Sequence, residues 1–316
     1  MEWPFYSSKI LECNNLELLH ATLTCGMPSQ FLSPWHHEKR TQEFISKVSM
    51  IETNLTTSDG YILKSPETEY LDPSEKSVNA YYLGLIFTKL FSMKEFGVDY
   101  FLHSSLFEQV YGADAFYCTG KKSPSFIGYT RDTDKWSVWE PTGKRDHAPK
   151  ALDDAYNQVF SICTVNEQTP NYAMACMTYF DTKHGELQGI LRNADNGKKV
   201  SVSFDKEQFL TMYYRHICEI FDESLRRKPF DSVIDYIDGY LEIELELFGL
   251  NIDDSGKHLV KLGVPKDILG FFQYNKGHFN EKLGITSIVD AIQSNIFNFQ
   301  DKDFFMGRDG IYFRII

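Results

Sequence analysis

K-K-S-P-S-F-I-G-Y-T at 121–130, W-S-V-W-E-P-T-G-K-R at 136–145 and A-L-D-D-A-Y-N-Q at 151–158 read as two strands joined by a polar turn, then a helix. The first run is rich in β-prone aromatic and branched residues, and the second carries two tryptophans and a valine before Glu140. Residues i and i+2 of a strand point to one face, so Glu140 shares a face with Thr142. Pro141 and Gly143 make the path beyond Glu140 irregular, which leaves Lys144 within reach of the same place.

This layout resembles the core of the PD-(D/E)XK nuclease superfamily, the restriction-endonuclease-like fold. The resemblance implies an α/β protein with a mixed sheet flanked by helices, here with extra N- and C-terminal α+β elements. Active members of such a family need hard oxygen ligands for Mg²⁺ and a nearby cation for the phosphate or the attacking water. Bacterial proteins of this look carry Pro-Asp at the start of the first strand and Glu-Ala-Lys-Gly on the second. This chain has Pro124-Ser125 and Glu140-Pro141-Thr142-Gly143. Glu140 matches the pattern; Ser125 and Thr142 depart from it at the positions that carry the chemistry. A wider resemblance, to an uncharacterised bacterial group, covers about 77–160. It rests on Y-Y-L-G-L at 81–85, V-D-Y-F-L-H at 98–103, the Pro-Ser step and the Glu-Pro-Thr-Gly-Lys run.

Three readings of the site stand side by side. Glu140 is a solvated acid at a strand end; or the chain keeps a nuclease fold that has lost its chemistry; or the chemistry survives with migrated residues. In the last case Lys144 replaces the missing lysine, Asp114, Asp132 or Asp134 supplies the missing acid, and Glu140 with Asp114 holds Mg²⁺. The inactive reading needs no cofactor.

The chain has 316 residues and a net charge of −12. With 42% hydrophobic residues, 25 Phe and 18 Tyr it has ample material for a packed, strand-containing core. An acidic chain neutralises phosphates poorly unless its cations cluster. Lys121, Lys122, Arg131, Lys144, Arg145 and Lys150 gather in sequence around Glu140, so these six are the expected DNA-binding residues. No apolar run of 18 residues indicates a membrane span, and the first residues lack a signal-peptide layout. Six cysteines without a Cys-x-x-Cys pair argue against a zinc ribbon or a disulfide framework, and fit a reducing cytoplasm.

Along the chain, 1–76 reads as an N-terminal extension, 77–180 as the nuclease-like core and 181–316 as a C-terminal α+β region packed on it. Leu16–Ala21 and Phe44–Ile51 suggest short helices, and His36-His37 is a weak metal pair because neighbouring side chains diverge. Ser77 is the expected cap of a helix over 77–96 with an apolar stripe at Tyr82, Leu83, Ile86, Phe87 and Leu90. Gly97–His103 reads as a strand ending in a histidine, where active-site residues often collect. A helix is expected from Ala148 to Cys163, carrying Gln158 near the site, and a long one over 206–227. Y-L-E-I-E-L-E-L-F at 240–248 alternates strictly, so Glu242, Glu244 and Glu246 are expected on an open acidic face. The β-prone run at 311–316 must be paired.

Walker, dinucleotide, serine-hydrolase and zincin motifs are absent, and no long repeat appears. The expectation is therefore a catalytically impaired nuclease-like protein. It would act by nucleic-acid or partner binding in a bacterial DNA-processing or phage-defence system; the defence setting comes from the resemblance alone. An active Mg²⁺-dependent deoxyribonuclease is the first alternative. An acidic interaction or inhibitor protein, meeting a protein partner or a second copy of itself, is the other.

Overall fold

The computed structural model describes residues 10–25, 40–58, 60–106, 124–194, 200–227, 237–248, 257–274, 284–293, 300–301 and 303–316. In chain order the helices are α1 (Asn15–Thr24), α2 (Arg40–Asn54), α3 (Pro73–Phe96), α4 (Pro149–Val159), α5 (Lys206–Arg227), α6 (Lys266–Tyr274) and α7 (Ile285–Gln293). The strands are β1 (Leu55–Ser58), β2 (Tyr61–Lys64), β3 (Tyr100–His103), β4 (Phe126–Thr130), β5 (Lys135–Gly143), β6 (Ile162–Val165) and β7 (Tyr172–Phe180). They continue with β8 (Leu187–Asn193), β9 (Val200–Val202), β10 (Tyr240–Phe248), β11 (Lys257–Pro265), β12 (Gln300–Asp301), β13 (Phe304–Met306) and β14 (Tyr312–Ile315).

Local chemistry sets the helix boundaries. Asn14 caps α1 by accepting from the Glu17 amide, while the Glu17 carboxylate accepts from the Asn14 amide. The third core helix starts earlier than the apolar stripe suggests. Asp72, not Ser77, is its cap: Asp72, Pro73 and Glu75 form a capping box with proline in the first turn. Gly97 ends it in the left-handed conformation (φ 64°), returning its amide to the Ser92 carbonyl. Ser77 instead bonds back to the Pro73 carbonyl within the helix. At the other end of the core, α4 stops at Val159, and Ile162 and Cys163 belong to β6. The apolar spacing at 155, 159 and 162 runs through the boundary because both elements bury into the same core.

Two five-stranded sheets carry the architecture. One is mixed, in the order β3-β4-β5-β7-β8, with β5 parallel to β7 and the other pairs antiparallel. The other is antiparallel, in the order β10-β11-β14-β13-β12. The parallel β5–β7 step needs a crossover, which α4 and β6 supply. The chain is thus an α/β protein whose mixed sheet is flanked by helices. On one face α3 packs Leu85 against Phe101, Phe126, Trp139 and Met174. Gly84 of α3 lies against Gly143 at the end of β5. On the opposite face α5 runs between the two sheets. Its Tyr213 and Tyr214 rings meet Tyr100 of β3 at 5.1 and 6.1 Å. Phe209, Ile217 and Phe221 share one core with Ile243, Leu245, Val260 and Leu262. Each such side chain contributes about 1.5–3 kcal/mol on leaving water.

A buried polar knot ties the first helix to the last hairpin. Asp309, in the turn before β14, faces His20 of α1, with Nε2 at 3.0 and 3.1 Å from its two carboxylate oxygens. Tyr213 donates to the same carboxylate at 2.5 Å, the Ile311 amide does so at 3.1 Å, and Tyr214 donates to the Asp309 carbonyl at 2.6 Å. Burial alone would raise the Asp309 carboxyl; His20, Lys89 and Tyr213 outweigh it and hold the group below the ordinary carboxylate value.

The acidic face expected on 240–248 is only partly open, with Glu246 exposed and Glu244 half-buried. The alternation is present, but Glu242 is fully buried (0% exposed). It accepts from Arg314 at 2.7 and 2.8 Å and from the Tyr312 hydroxyl at 2.7 Å. Lys261 and Arg314, on the neighbouring strands β11 and β14, stand in register with Glu244 and with each other. No helix among the described residues is long and apolar enough to cross a membrane.

Candidate nucleic-acid interface

The β4–β5 hairpin brings the two sequence motifs together. Phe126 pairs with Trp139, which sets Ser125 across from Glu140. The Ser125 amide donates to the Glu140 carboxylate at 2.6 Å. Ser104, at the end of β3, holds the same corner: its hydroxyl donates to the Pro124 carbonyl and its amide to the Ser125 carbonyl, at 2.6 and 2.8 Å. Glu140 itself is 9% exposed and stands in register with Ala175 of β7. It is a held, nearly buried carboxylate rather than a solvated strand end.

Strand alternation sorts the cations that follow. The ladder continues past β5, with the Lys144 amide donating to the Thr178 carbonyl at 2.8 Å. Lys144 therefore falls on the face of Glu140 and Thr142, and is exposed. Lys150 is exposed in the first turn of α4. His147 lies between them, its ring 5.1 Å from that of Tyr179. Arg145 goes to the other face, where it lines a cleft with Lys64, Lys76, Ala80 and Leu83.

Arg131 does not join this group. It sits in the β4–β5 turn, at the opposite end of β4 from Ser125, with the five strand residues Phe126–Thr130 between them, roughly 20 Å away. Its amide donates to Asp99 at 2.8 Å and its guanidinium to the Val289 carbonyl of α7 at 3.2 Å. The same turn holds Asp132 and Asp134. Asp132 pairs with Arg308. Asp134 accepts from the Tyr129 hydroxyl at 2.6 Å and from Lys206 at 3.1 Å. Neither aspartate reaches Glu140, so the hairpin geometry removes both as replacement acids.

Other expected residues are placed elsewhere. His103 points to the α3 face, its ring 5.0 Å from Phe126. Its Nδ1 accepts from the Ser105 amide at 3.2 Å. Burial, with Lys47 adding to it, pushes its pKa down to about 4 and keeps it neutral. Gln158 is half-buried, and its carbonyl closes the turn after α4 by accepting from Ser161. Asp153 pairs with Arg192 of β8 at 2.8 Å, and that guanidinium lies 3.9 Å over the Tyr156 ring. Asp114, Lys121, Lys122, His36 and His37 lie outside the described residues. Sequence reasoning did not single out His147, Tyr179, Lys64 or Lys76 for this region. They come from separate segments, and no local spacing links them.

A hard cation such as Mg²⁺ takes several oxygen ligands. Among the described residues no group of three His, Cys, Asp or Glu side chains converges to hold a metal ion. At the two positions of the resemblance Glu140 brings a carboxylate, while Ser125 brings a hydroxyl where a second carboxylate would stand and turns its amide to Glu140. Glu140 is the described one of the two expected ligands; Asp114 lies outside the described residues.

No family model, curated protein or solved structure matches this chain. Its chemistry has to be argued from its own residues.

Proposed function

We propose that this chain is a nuclease-like protein that works by binding DNA rather than by cutting it. The observation that carries the reading is the 2.6 Å bond from the Ser125 amide to Glu140. At the position where the family would present a second carboxylate to a metal, this chain presents a donor that holds the remaining carboxylate in place. Thr142, where a lysine would stand, offers a neutral hydroxyl. The succession α3, β3, β4, β5, α4, β7, with β5 parallel to β7, supports a restriction-endonuclease-like core. The surface beside it keeps what backbone recognition needs: Lys144 and Lys150 are exposed on the Glu140 side. A bacterial DNA-processing or defence setting belongs to this proposal on the family resemblance alone.

The test is one set of reactions. Purified protein is incubated with linear, nicked and single-stranded DNA in Mg²⁺, Mn²⁺ or EDTA, with wild type beside Glu140→Gln and Lys144→Ala. Retardation without cutting, weakened in Lys144→Ala, supports the proposal. Metal-dependent cutting that disappears in Glu140→Gln overturns it. Neither cutting nor retardation also overturns it and points to a protein partner, to be sought by pull-down.

A further inference from the structure

We propose that the cleft formed by Lys64, Lys76 and Arg145 around Glu69 binds a phosphate group. The cleft is lined by Asn54, Lys64, Glu69, Lys76, Arg145 and Phe180, with Ala80 and Leu83 of α3 also on its wall. Its three cations come from the end of β2, the start of α3 and the segment after β5. Nothing local in the sequence requires them to converge. They do so in a chain whose net charge is −12, where an unforced gathering of cations is the less expected arrangement.

Glu69 shows what the cations are arranged to hold. Lys64 pairs with its carboxylate and Lys76 donates to its carbonyl at 3.0 Å. The Lys64 hydrogen bond and charge hold the Glu69 carboxyl below its ordinary value, and Lys76 and Arg145 add to the effect. The Glu69 side chain is 56% exposed, so a stronger anion can reach the same cations from solvent. Among the described residues the Arg145 guanidinium pairs with Asp146 at 3.6 Å, an ion pair in which both side chains are more than half exposed. Such a pair is worth little and yields to a better partner. A phosphate accepts from a guanidinium fork in two parallel hydrogen bonds and carries more charge than one carboxylate, so it outcompetes Glu69 for these donors.

The cleft is separate from Glu140. Alternation beyond β5 sends Arg145 to the α3 face and Glu140 to the other. A phosphate here belongs either to a nucleic-acid strand passing the end of β5 or to a small phosphorylated molecule.

Calorimetric titration of the full chain with inorganic pyrophosphate tests the site, in wild type, Lys64→Ala, Arg145→Ala, Glu69→Gln and Lys135→Ala. Lys135 is an exposed lysine at the far end of β5 and serves as the charge control. Thermal midpoints of all five confirm folding. The expected result is saturable binding that falls at least tenfold in Lys64→Ala and Arg145→Ala, tightens severalfold in Glu69→Gln and is unchanged in Lys135→Ala. Absence of binding in both wild type and Glu69→Gln, or equal binding in every variant, overturns the proposal. Adding a short oligothymidylate identifies the source: displacement of pyrophosphate assigns the cleft to a nucleic-acid backbone, and retention assigns it to a small phosphate. Because the readout uses neither duplex retardation nor cutting, it separates failure of this site from failure of the Glu140 reading.

Discussion

Gly84 of α3 and Gly143 of β5 meet backbone to backbone. A Cβ on Gly84 would stand 2.5 Å from the Gly143 amide nitrogen, and one on Gly143 would fall on the Ala80 carbonyl oxygen. These are the glycines of the Tyr-Tyr-Leu-Gly and Glu-Pro-Thr-Gly runs, two motifs 59 positions apart in sequence. Helix and strand can approach this closely only where neither carries a side chain. Both glycines are thereby explained by packing, with no chemistry required of them.

Gly143→Ala and Gly84→Ala should each destabilise by about 1–3 kcal/mol or more, because backbone atoms, not flexible side-chain ends, must give way. Gly270 offers the opposite case. It lies inside α6, and a Cβ there meets nothing within 4 Å. Gly270→Ala should stabilise by about 0.5–1 kcal/mol through helix propensity. Denaturant melts of the three variants check both signs; a neutral Gly143→Ala would dismiss the close approach.

Asp309 should be among the most sensitive positions in the chain. Asp309→Ala strips the acceptor from His20 and Tyr213 inside the core and should lose about 3–5 kcal/mol. The group is held below its ordinary value of 3.8, so its contribution is complete above pH 3.8 and disappears as pH falls through the lower folded value. Acid unfolding of wild type should therefore include a component that Asp309→Asn lacks.

His216 predicts a separate acid effect. Burial pushes its pKa from 6.5 to about 4, and its Nε2 donates to the Leu23 carbonyl at 2.9 Å. The unfolded chain takes up a proton near pH 6.5 that the folded one refuses until about pH 4. Stability should fall across that window by about 1.4 kcal/mol per pH unit. His216→Gln keeps a donor for Leu23 and removes the titration, so its stability curve between pH 6.5 and 4 should be flatter than that of wild type. Parallel curves would count against the buried neutral imidazole.

Glu242 and Glu246 differ in a way their identical spacing conceals. Glu242→Ala removes the buried carboxylate that Arg314, Lys261 and the Tyr312 hydroxyl share and should lose about 3–5 kcal/mol. Glu246 is exposed, and Glu246→Gln should stay within about 0.5 kcal/mol. Thermal scans of the two variants side by side decide it.

That contrast marks where sequence reading stops. Period-two spacing identified which residues of 240–248 share a face, since alternation is a property of the strand itself. It said nothing about what covers that face; Arg314 is 72 residues from Glu242. Helix α5 was legible to both ends, because its apolar stripe is long and its boundaries are marked locally. The start of α3 was misplaced because the capping box at Asp72–Glu75 lies well ahead of Tyr82, the first stripe residue. At the site, the Ser125–Glu140 meeting followed from reading a hairpin. Of the expected basic residues, Arg131 is the one the hairpin removes: it is near Lys144 in sequence, but the strands between them carry it to the far end. The cleft around Glu69 had no local signature at all.

The place of β14 has a consequence for how the protein is made. It is the last of the described strands, yet it sits in the middle of its sheet, between β11 and β13, and the turn before it supplies the carboxylate that faces His20. A ribosome delivers the first helix some 290 residues before that carboxylate. Until Asp309 and β14 have been made, the α1 histidine and the open side of β11 wait without these native partners. Chains truncated before Asp309 should therefore be clients of chaperones or proteases rather than partly working proteins.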